Sequence, residues 1–382
     1  MHWAVVLLLA VSAAAAQPPV RLVIDTDGAA DDAMGISLAL QSAPHVQVVA
    51  FSTVSGGTTA AQAVATVART IRATGTQKQA SSGVFGCGSE IPIFKGAKGP
   101  LIGGINTTAD SLAFFGFDGI SDLPDNFPQS LPSDLEAFDH SVHAATGLIR
   151  MFGAQPGELT LVAIGPLTNI ALALKLEPEF AKWPKKLVLT GGNVFAKGNV
   201  RRSSTSEFNF NTDPEAAYIV LREMECDIVM QKFDFDRHYH VQTPLGDYFR
   251  TVSTLPRAAM ASAGLPFRFC DEITVAAAIW PERVITRSQN MSVIVELSGQ
   301  FTRGQVAVGW ADDSFGSLVD SPMRPALLVM DYDVEEVDRL LTSALERSAS
   351  STGSSTSRPL GFREANRWAG WSPPSPRPSV FG

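Results

Sequence analysis

Short β-branched runs alternate with helical stretches from residue 21 onward. Arg21–Asp25 is a brief apolar run of the buried-strand type, Asp31–Gln41 reads as a helix, and Val46–Thr53 reads as a second strand. Thr59–Thr74 is alanine-rich and helical. Further on, strands are predicted at Leu159–Ile164, Leu187–Thr190 and Asp227–Gln231, with helices at Thr168–Leu176 and Pro214–Glu223 between them. This alternation predicts an α/β fold, an open and mainly parallel sheet with helices on both faces, in a single domain. Such sheets bind ligands beyond the carboxyl ends of their strands, and that rule selects the loops that matter. Between Gly83 and Pro132 the chain is rich in Gly and Pro with little periodicity, which predicts loops over the mouth of a site.

The two ends change the picture. Met1 to Ala16 carries the apolar run Val5–Ala10 and then the small residues Ala13–Ala16, the layout of a secretory signal peptide over residues 1–16. The break Gln17-Pro18-Pro19 speaks against a buried N-terminal strand there. At the other end Ser348–Ser357 is nearly all Ser, Thr and Gly, and Ser372–Pro378 alternates Ser with Pro, so 347–382 is expected to be a disordered or O-glycosylated tail. One domain over 17–346 remains. No other segment has the roughly 18 continuous apolar residues of a membrane helix, so the expected product is a soluble extracellular protein.

A net charge of −8 argues against nucleic-acid polymers as partners, which need a basic footprint, and favours small neutral or cationic ligands. Self-association into a homo-oligomer is left open. The 3 cysteines, Cys87, Cys226 and Cys270, leave at least one thiol without an intramolecular partner, and no pairing follows from their spacing. Asn106-Thr107-Thr108 and Asn290-Met291-Ser292 are glycosylation sequons.

Candidate chemistry concentrates after the first predicted strand. Asp25, Asp27, Asp31 and Asp32 fall in one short stretch, Asp25-Thr26-Asp27-Gly28-Ala29-Ala30-Asp31-Asp32, at a buried strand end and a helix start. Buried carboxylates at this density need a cation or must titrate, and hard oxygen ligands suit Ca²⁺ or Mg²⁺. Helix capping accounts for one Asp, not for four. A strand ending in Asp-x-Asp also opens the haloacid dehalogenase-like phosphatases, where Mg²⁺ is the cofactor and Asp25 would be the nucleophile. Those enzymes usually continue with Thr or Val and an aliphatic residue, whereas this chain continues Gly28-Ala29-Ala30 and a second Asp pair.

The cluster resembles the Asp-x-Asp-x-x-x-Asp-Asp fingerprint of the inosine–uridine nucleoside hydrolase family. Three later segments resemble that family in the same order: Gly165-Pro166-Leu167-Thr168-Asn169; Gly191-Gly192-Asn193 with Gly198-Asn199 and Glu207-Phe208-Asn209 through Asp213-Pro214-Glu215-Ala216-Ala217; and Cys270-Asp271-Glu272 before an apolar helix. The likeness spans about residues 20–340. It implies hydrolysis of the N-glycosidic bond of ribonucleosides with one Ca²⁺. The cation would be held by Asp27, Asp32, the Ile164 carbonyl and Asp271. Asp27 would also take the proton of the attacking water, and Asp25 would orient the site from behind. Asp31, Asn199, Glu207, Asn209 and Asp271 match the positions that hold the ribose hydroxyls.

Several positions depart from the family pattern. Gly57 stands where an asparagine near the ribose is expected. The spacing from Asn199 to Glu207 is longer than usual, which leaves Asn193 as the other choice. Cys270 replaces a histidine that protonates the leaving base in many members, and Phe115 matches a second absent histidine. Aromatic stacking from Phe115 or Phe114 is the alternative means of activating a base, and it inclines the reading toward purine nucleosides; the plain alternative is that both rings pack beneath a loop. A secreted nucleoside or ribose binder without turnover is the remaining class.

Overall fold

The computed structural model describes residues 18–76, 91–103, 109–200, 205–231, 242–265, 270–310 and 324–350. Its first half alternates β1 (Val20–Thr26), α1 (Ala30–Leu40), β2 (Val46–Thr53), α2 (Ala60–Thr74), β3 (Ile93–Lys95), α3 (Ala109–Phe115), α4 (Ala144–Ala154), β4 (Thr160–Ala163), α5 (Thr168–Leu176) and β5 (Lys186–Thr190). There follow α6 (Phe208–Thr212), α7 (Pro214–Glu223), β6 (Asp227–Gln231), α8 (Pro244–Val252), α9 (Thr254–Ser262), α10 (Asp271–Ile279) and α11 (Pro281–Val284). The chain then forms β7 (Ile285–Val295), β8 (Val306–Val308), β9 (Arg324–Tyr332) and α12 (Val334–Ser350). The predicted strands and helices up to β6 all form, most of them to within a residue.

The sheet order is β3-β2-β1-β4-β5-β6-β9-β7-β8. Pairing is parallel from β3 through β9 and antiparallel from β9 to β7 and from β7 to β8. Strand residues alternate between the two faces with period two. Leu22 and Ile24 of β1 join one apolar cluster with α1, α2, α8, α10 and α12, while Val23 joins the other with α4, α5 and α7. The same split divides Val162 from Leu161 and Ala163 in β4, and Val188 from Leu187 and Leu189 in β5. Burial on both faces is why these strands read as continuous apolar runs.

Two features were not visible in the hydrophobic pattern. The Gly83–Pro132 region, expected to be loops, contains β3 and α3, which are 3 and 7 residues long and too short to show periodicity. The antiparallel edge formed by β7, β8 and β9 drew no prediction, because the first half of β7 is exposed and carries no alternation. Helix α12 continues to Ser350, past the compositional change at Arg347. Residues 1–17 and 351–382, which hold the expected signal segment and most of the expected tail, lie outside the described residues. Among the described residues no helix is long and apolar enough to cross a membrane.

The chain order reverses between β1 and β4: β1, β2 and β3 progress one way across the sheet, and β4, β5 and β6 the other. Connections therefore leave the adjacent carboxyl ends of β1 and β4 in opposite directions and open a crevice there. The acidic cluster sits at its lip.

Candidate metal and sugar site

Asp25 ends β1 fully buried. Its Oδ1 accepts hydrogen bonds from Ser52 Oγ at 2.5 Å and Asn169 Nδ2 at 2.8 Å. Asn169 is itself held by Thr53 O and the Ala97 N–H. Asp25 Oδ2 has no partner. Burial pushes this carboxyl up to about 7, against the pull of its two donors. Asn169 belongs to the Gly-Pro-Leu-Thr-Asn motif and Ser52 to no motif; only the pairing of β1 with β2 and β4 brings either one to Asp25.

Asp27 follows in the β1–α1 turn. The Gly57 N–H donates to its Oδ2 at 2.7 Å, leaving Oδ1 without a donor from that turn. A Cβ on Gly56 would lie 2.1 Å from Asp27 Oδ2, and one on Gly165 would lie 2.9 Å from the Asp27 N. Backbone therefore closes on Asp27 from β2 and from β4, and only glycine admits that approach. The Ile164–Gly165 segment lies flush against Asp27, with the Ile164 N–H bonded to Asp25 O at 2.8 Å.

Asp32 lies in the first turn of α1 and is 1% exposed. It accepts from the Ala29 N–H at 3.0 Å, the Asp27 N–H at 3.2 Å and the Thr26 hydroxyl. Its carboxyl adjoins those of Asp27 and Asp271 closely enough to share protons with them. Asp271 opens α10, which packs against α1 at Gly35, where a Cβ would stand 3.3 Å from the Asp271 carbonyl. Asp31, Cys270 and Asp271 present ligand atoms all within 4.8 Å of one another.

The cluster is electrostatically unbalanced. Burial, and then the charges of their neighbours, push the carboxyls of Asp27 and Asp271 well above the usual range. Asp31 is pushed to about 6 by burial first and by Asp32 second. No basic side chain hydrogen-bonds any of these carboxylates among the described residues. Clustered buried carboxylates of this kind are the donor set of a hard divalent cation, and the unpartnered Asp25 Oδ2 beside them fits a water in its outer shell. Asp27, Asp32, Asp271 and the Ile164 backbone thus lie at one end of the sheet.

The sugar-side residues are built differently. Glu207, at the N-cap of α6, is 4% exposed. Its carboxylate accepts from the N–H groups of Asn209 at 2.8 Å, Phe210 at 3.1 Å and Gly192 at 3.0 Å. Burial still raises it to about 7. Asn209 donates to Thr190 O at 3.1 Å, which leaves its Oδ1 for other donors. Asn199 is exposed on the preceding loop. Asp213 caps α7 and accepts a hydrogen bond from the Thr168 hydroxyl.

Phe114 and Phe115 of α3 meet edge to face at 4.8 Å, and Phe115 packs, partly buried, against the apolar core. Cys270 donates its thiol hydrogen to Asp31 Oδ2 at 3.1 Å, and burial beside Asp271 and Asp31 pushes the thiol well up, as its acidic neighbourhood predicts. Cys226 and Cys270 are free; Cys87, His238 and His240 lie outside the described residues. Glu272, next in α10, is fully buried with neither oxygen hydrogen-bonded. Nothing in the local sequence marks this burial, because a Glu in the first turn of a helix is ordinarily solvated.

Fold and site together define an α/β protein with a cluster of buried carboxylates at the switch point of its sheet. The family model for inosine-uridine preferring nucleoside hydrolase matches residues 22–339, and the chain belongs to that family. It is 30% identical over 304 residues to the inosine-uridine preferring nucleoside hydrolase of Leishmania major, covering 76% of this chain and 88% of that one. Identity to a probable uridine nucleosidase 1 of Oryza sativa subsp. japonica is 36% over 210 residues, covering 55% of this chain and 57% of the rice protein. The chain thus spans little more than half the length of the plant uridine nucleosidases it matches. Among solved structures, a plant nucleoside hydrolase, PpNRh1, superposes with a TM-score of 0.72 at 26% identity, covering 86% of this chain and 99% of that one. An inosine-guanosine nucleoside hydrolase superposes with a TM-score of 0.71 at the same identity and coverage.

Proposed function

We propose that this protein hydrolyses the N-glycosidic bond of ribonucleosides to free base and ribose, using Ca²⁺ seated among Asp27, Asp32, Asp271 and the Ile164 carbonyl. The observation that carries this reading is the set of three adjoining buried carboxylates without a basic partner among the described residues, at the switch point and at the sheet end that also carries Glu207 and Asn209. When bound, the cation would supply an acidified water and an anchor for the sugar hydroxyls.

The chain's own residues divide the remaining work. Gly57 holds the Asp27 carboxylate through Oδ2, and Asp27 is the group that receives a proton from the attacking water. Asp25, clamped by Ser52 and Asn169, holds the floor of the site. Its full burial and engaged Oδ1 suit that role and do not suit the exposed nucleophile of a phosphatase. Asp31, Asp271, Glu207 and Asn209 receive ribose hydroxyls, with Asn199 or Asn193 completing the set. Phe115 packs on the core, so a preference for purine bases through stacking would rest on the Phe114 ring, and Met1–Ala16 supports secretion.

Purified protein incubated with inosine, adenosine, guanosine, uridine and cytidine, with and without EDTA, tests the whole reading. Free base is expected from the ribonucleosides, fastest with purines, and lost on chelation. Nucleoside binding by calorimetry without release of base from any of the five would instead establish a binder.

A further inference from the structure

Two asparagines compete for the sugar pocket, and the structure gives them different surroundings. Asn199 is exposed, with its backbone N–H donating to Ser206 O at 3.2 Å. Asn193 is 8% exposed and donates from Nδ2 to Thr205 O at 2.6 Å. A main-chain carbonyl only accepts, so this bond fixes the amide: nitrogen toward Thr205, Oδ1 turned away from it. That oxygen is buried and meets no donor among the described residues.

The position of Asn193 is as informative as its orphaned atom. It follows β5 at the carboxyl edge of the sheet, after Gly192, which turns the chain with φ +70°. The Gly192 N–H is one of the three that hold Glu207, and Asn209 reaches back to Thr190. Glu207 and Asn209 are thus tied to the β5 end on either side of Gly191, and Asn193 follows directly on that segment with a buried oxygen that these bonds leave without a donor.

We propose that Asn193 Oδ1 accepts a hydroxyl of the ribose, making Asn193 a sugar-specifying residue. The inference rests on the hydrolase reading and deepens it. A buried neutral acceptor without a donor is unfavourable until a ligand brings one, and it repels a ligand group that only accepts. It therefore selects an O–H and penalises the analogue from which that hydroxyl is missing.

The rival role is a clasp, in which Asn193 only ties residue 193 to Thr205. The two roles separate in a substrate–variant cycle with inosine and its 2′-, 3′- and 5′-deoxy counterparts. Asn193→Ala is expected to lose about 30-fold in kcat/KM on inosine, and no more than about 3-fold on the one analogue that lacks the contacted hydroxyl. Asn193→Ser, which also removes the amide oxygen, serves if the alanine variant does not fold. Equal losses on all four substrates establish the clasp and overturn the contact. So does a hydroxyl-specific loss for Asn199→Ala with none at Asn193. Wild-type protein is assayed first. If it releases no base, the hydrolase reading falls, and the same cycle read as calorimetric binding of the four nucleosides decides the Asn193 contact independently.

Discussion

The two halves of the site bury carboxylates in opposite ways. At the β1–α1 turn, Asp27, Asp32 and Asp271 face one another, and most of their neighbours are also acidic. At the start of α6, Glu207 is equally enclosed but sits in a ring of three backbone N–H groups. One arrangement is incomplete without a cation; the other is complete in the protein alone. The lesson is that burial of an acid does not by itself announce a metal site. What distinguishes them is whether the lone pairs already have donors.

Perturbing the acidic half should have the largest effect. Asp27→Asn is expected to lower kcat/KM on inosine by about 10³-fold or more with the fold intact, because the atom that receives the proton is gone. Activity within about tenfold of wild type, at unchanged circular dichroism, would exclude Asp27 as the base.

Chelation probes the same half through stability. EDTA should lower the melting temperature, and Ca²⁺ should restore it by more at pH 8 than at pH 5. Carboxyls held above their ordinary range keep protons at pH 5, so the empty cradle is least repulsive there and the cation competes hardest with protons. A melting temperature indifferent to EDTA at pH 8 contradicts a cradle that needs a cation.

The Glu207 half predicts a smaller effect of different form. Its carboxyl is raised to about 7 in the folded state against about 4.5 unfolded. The native state therefore binds more protons in that window, and wild-type stability falls as pH rises through it. Glu207→Gln has no such proton to lose, so its stability relative to wild type should rise between pH 5 and pH 7, by up to about 3 kcal/mol at 1.36 kcal/mol per pH unit. A flat difference in urea midpoints across that range would show that the three N–H groups outweigh burial. The same variant should lose about 10²-fold in kcat/KM through its sugar contact.

The smallest effect belongs to Cys270. Cys270→Ala removes one thiol donor from Asp31 and should retain activity within about fivefold, since a thiol pushed this far up moves no proton at neutral pH. A Cys270→Ala enzyme as inactive as Asp27→Asn, yet folded, would make the thiol the acid for the departing base.

Much of this was legible locally. Strands buried on both faces announce themselves as short apolar runs, and the spacing of Asp25, Asp27, Asp31 and Asp32 places four acids at one strand end whatever the rest of the chain does. The motif order then determined the family, and with it the fold. Other features depend on pairings distant in sequence. Ser52 and Asn169 reach Asp25 only because β2 and β4 flank β1. Asp271 reaches Asp32 only because Gly35 lets α10 close on α1. Glu207 reads as a loop residue until Gly192 is folded beneath it. The sequence by itself set which residues carry charge and where strands end. Tertiary structure alone decided which of those charges find donors, because that depends on backbone groups supplied by other strands, and a chain read one residue at a time does not show them.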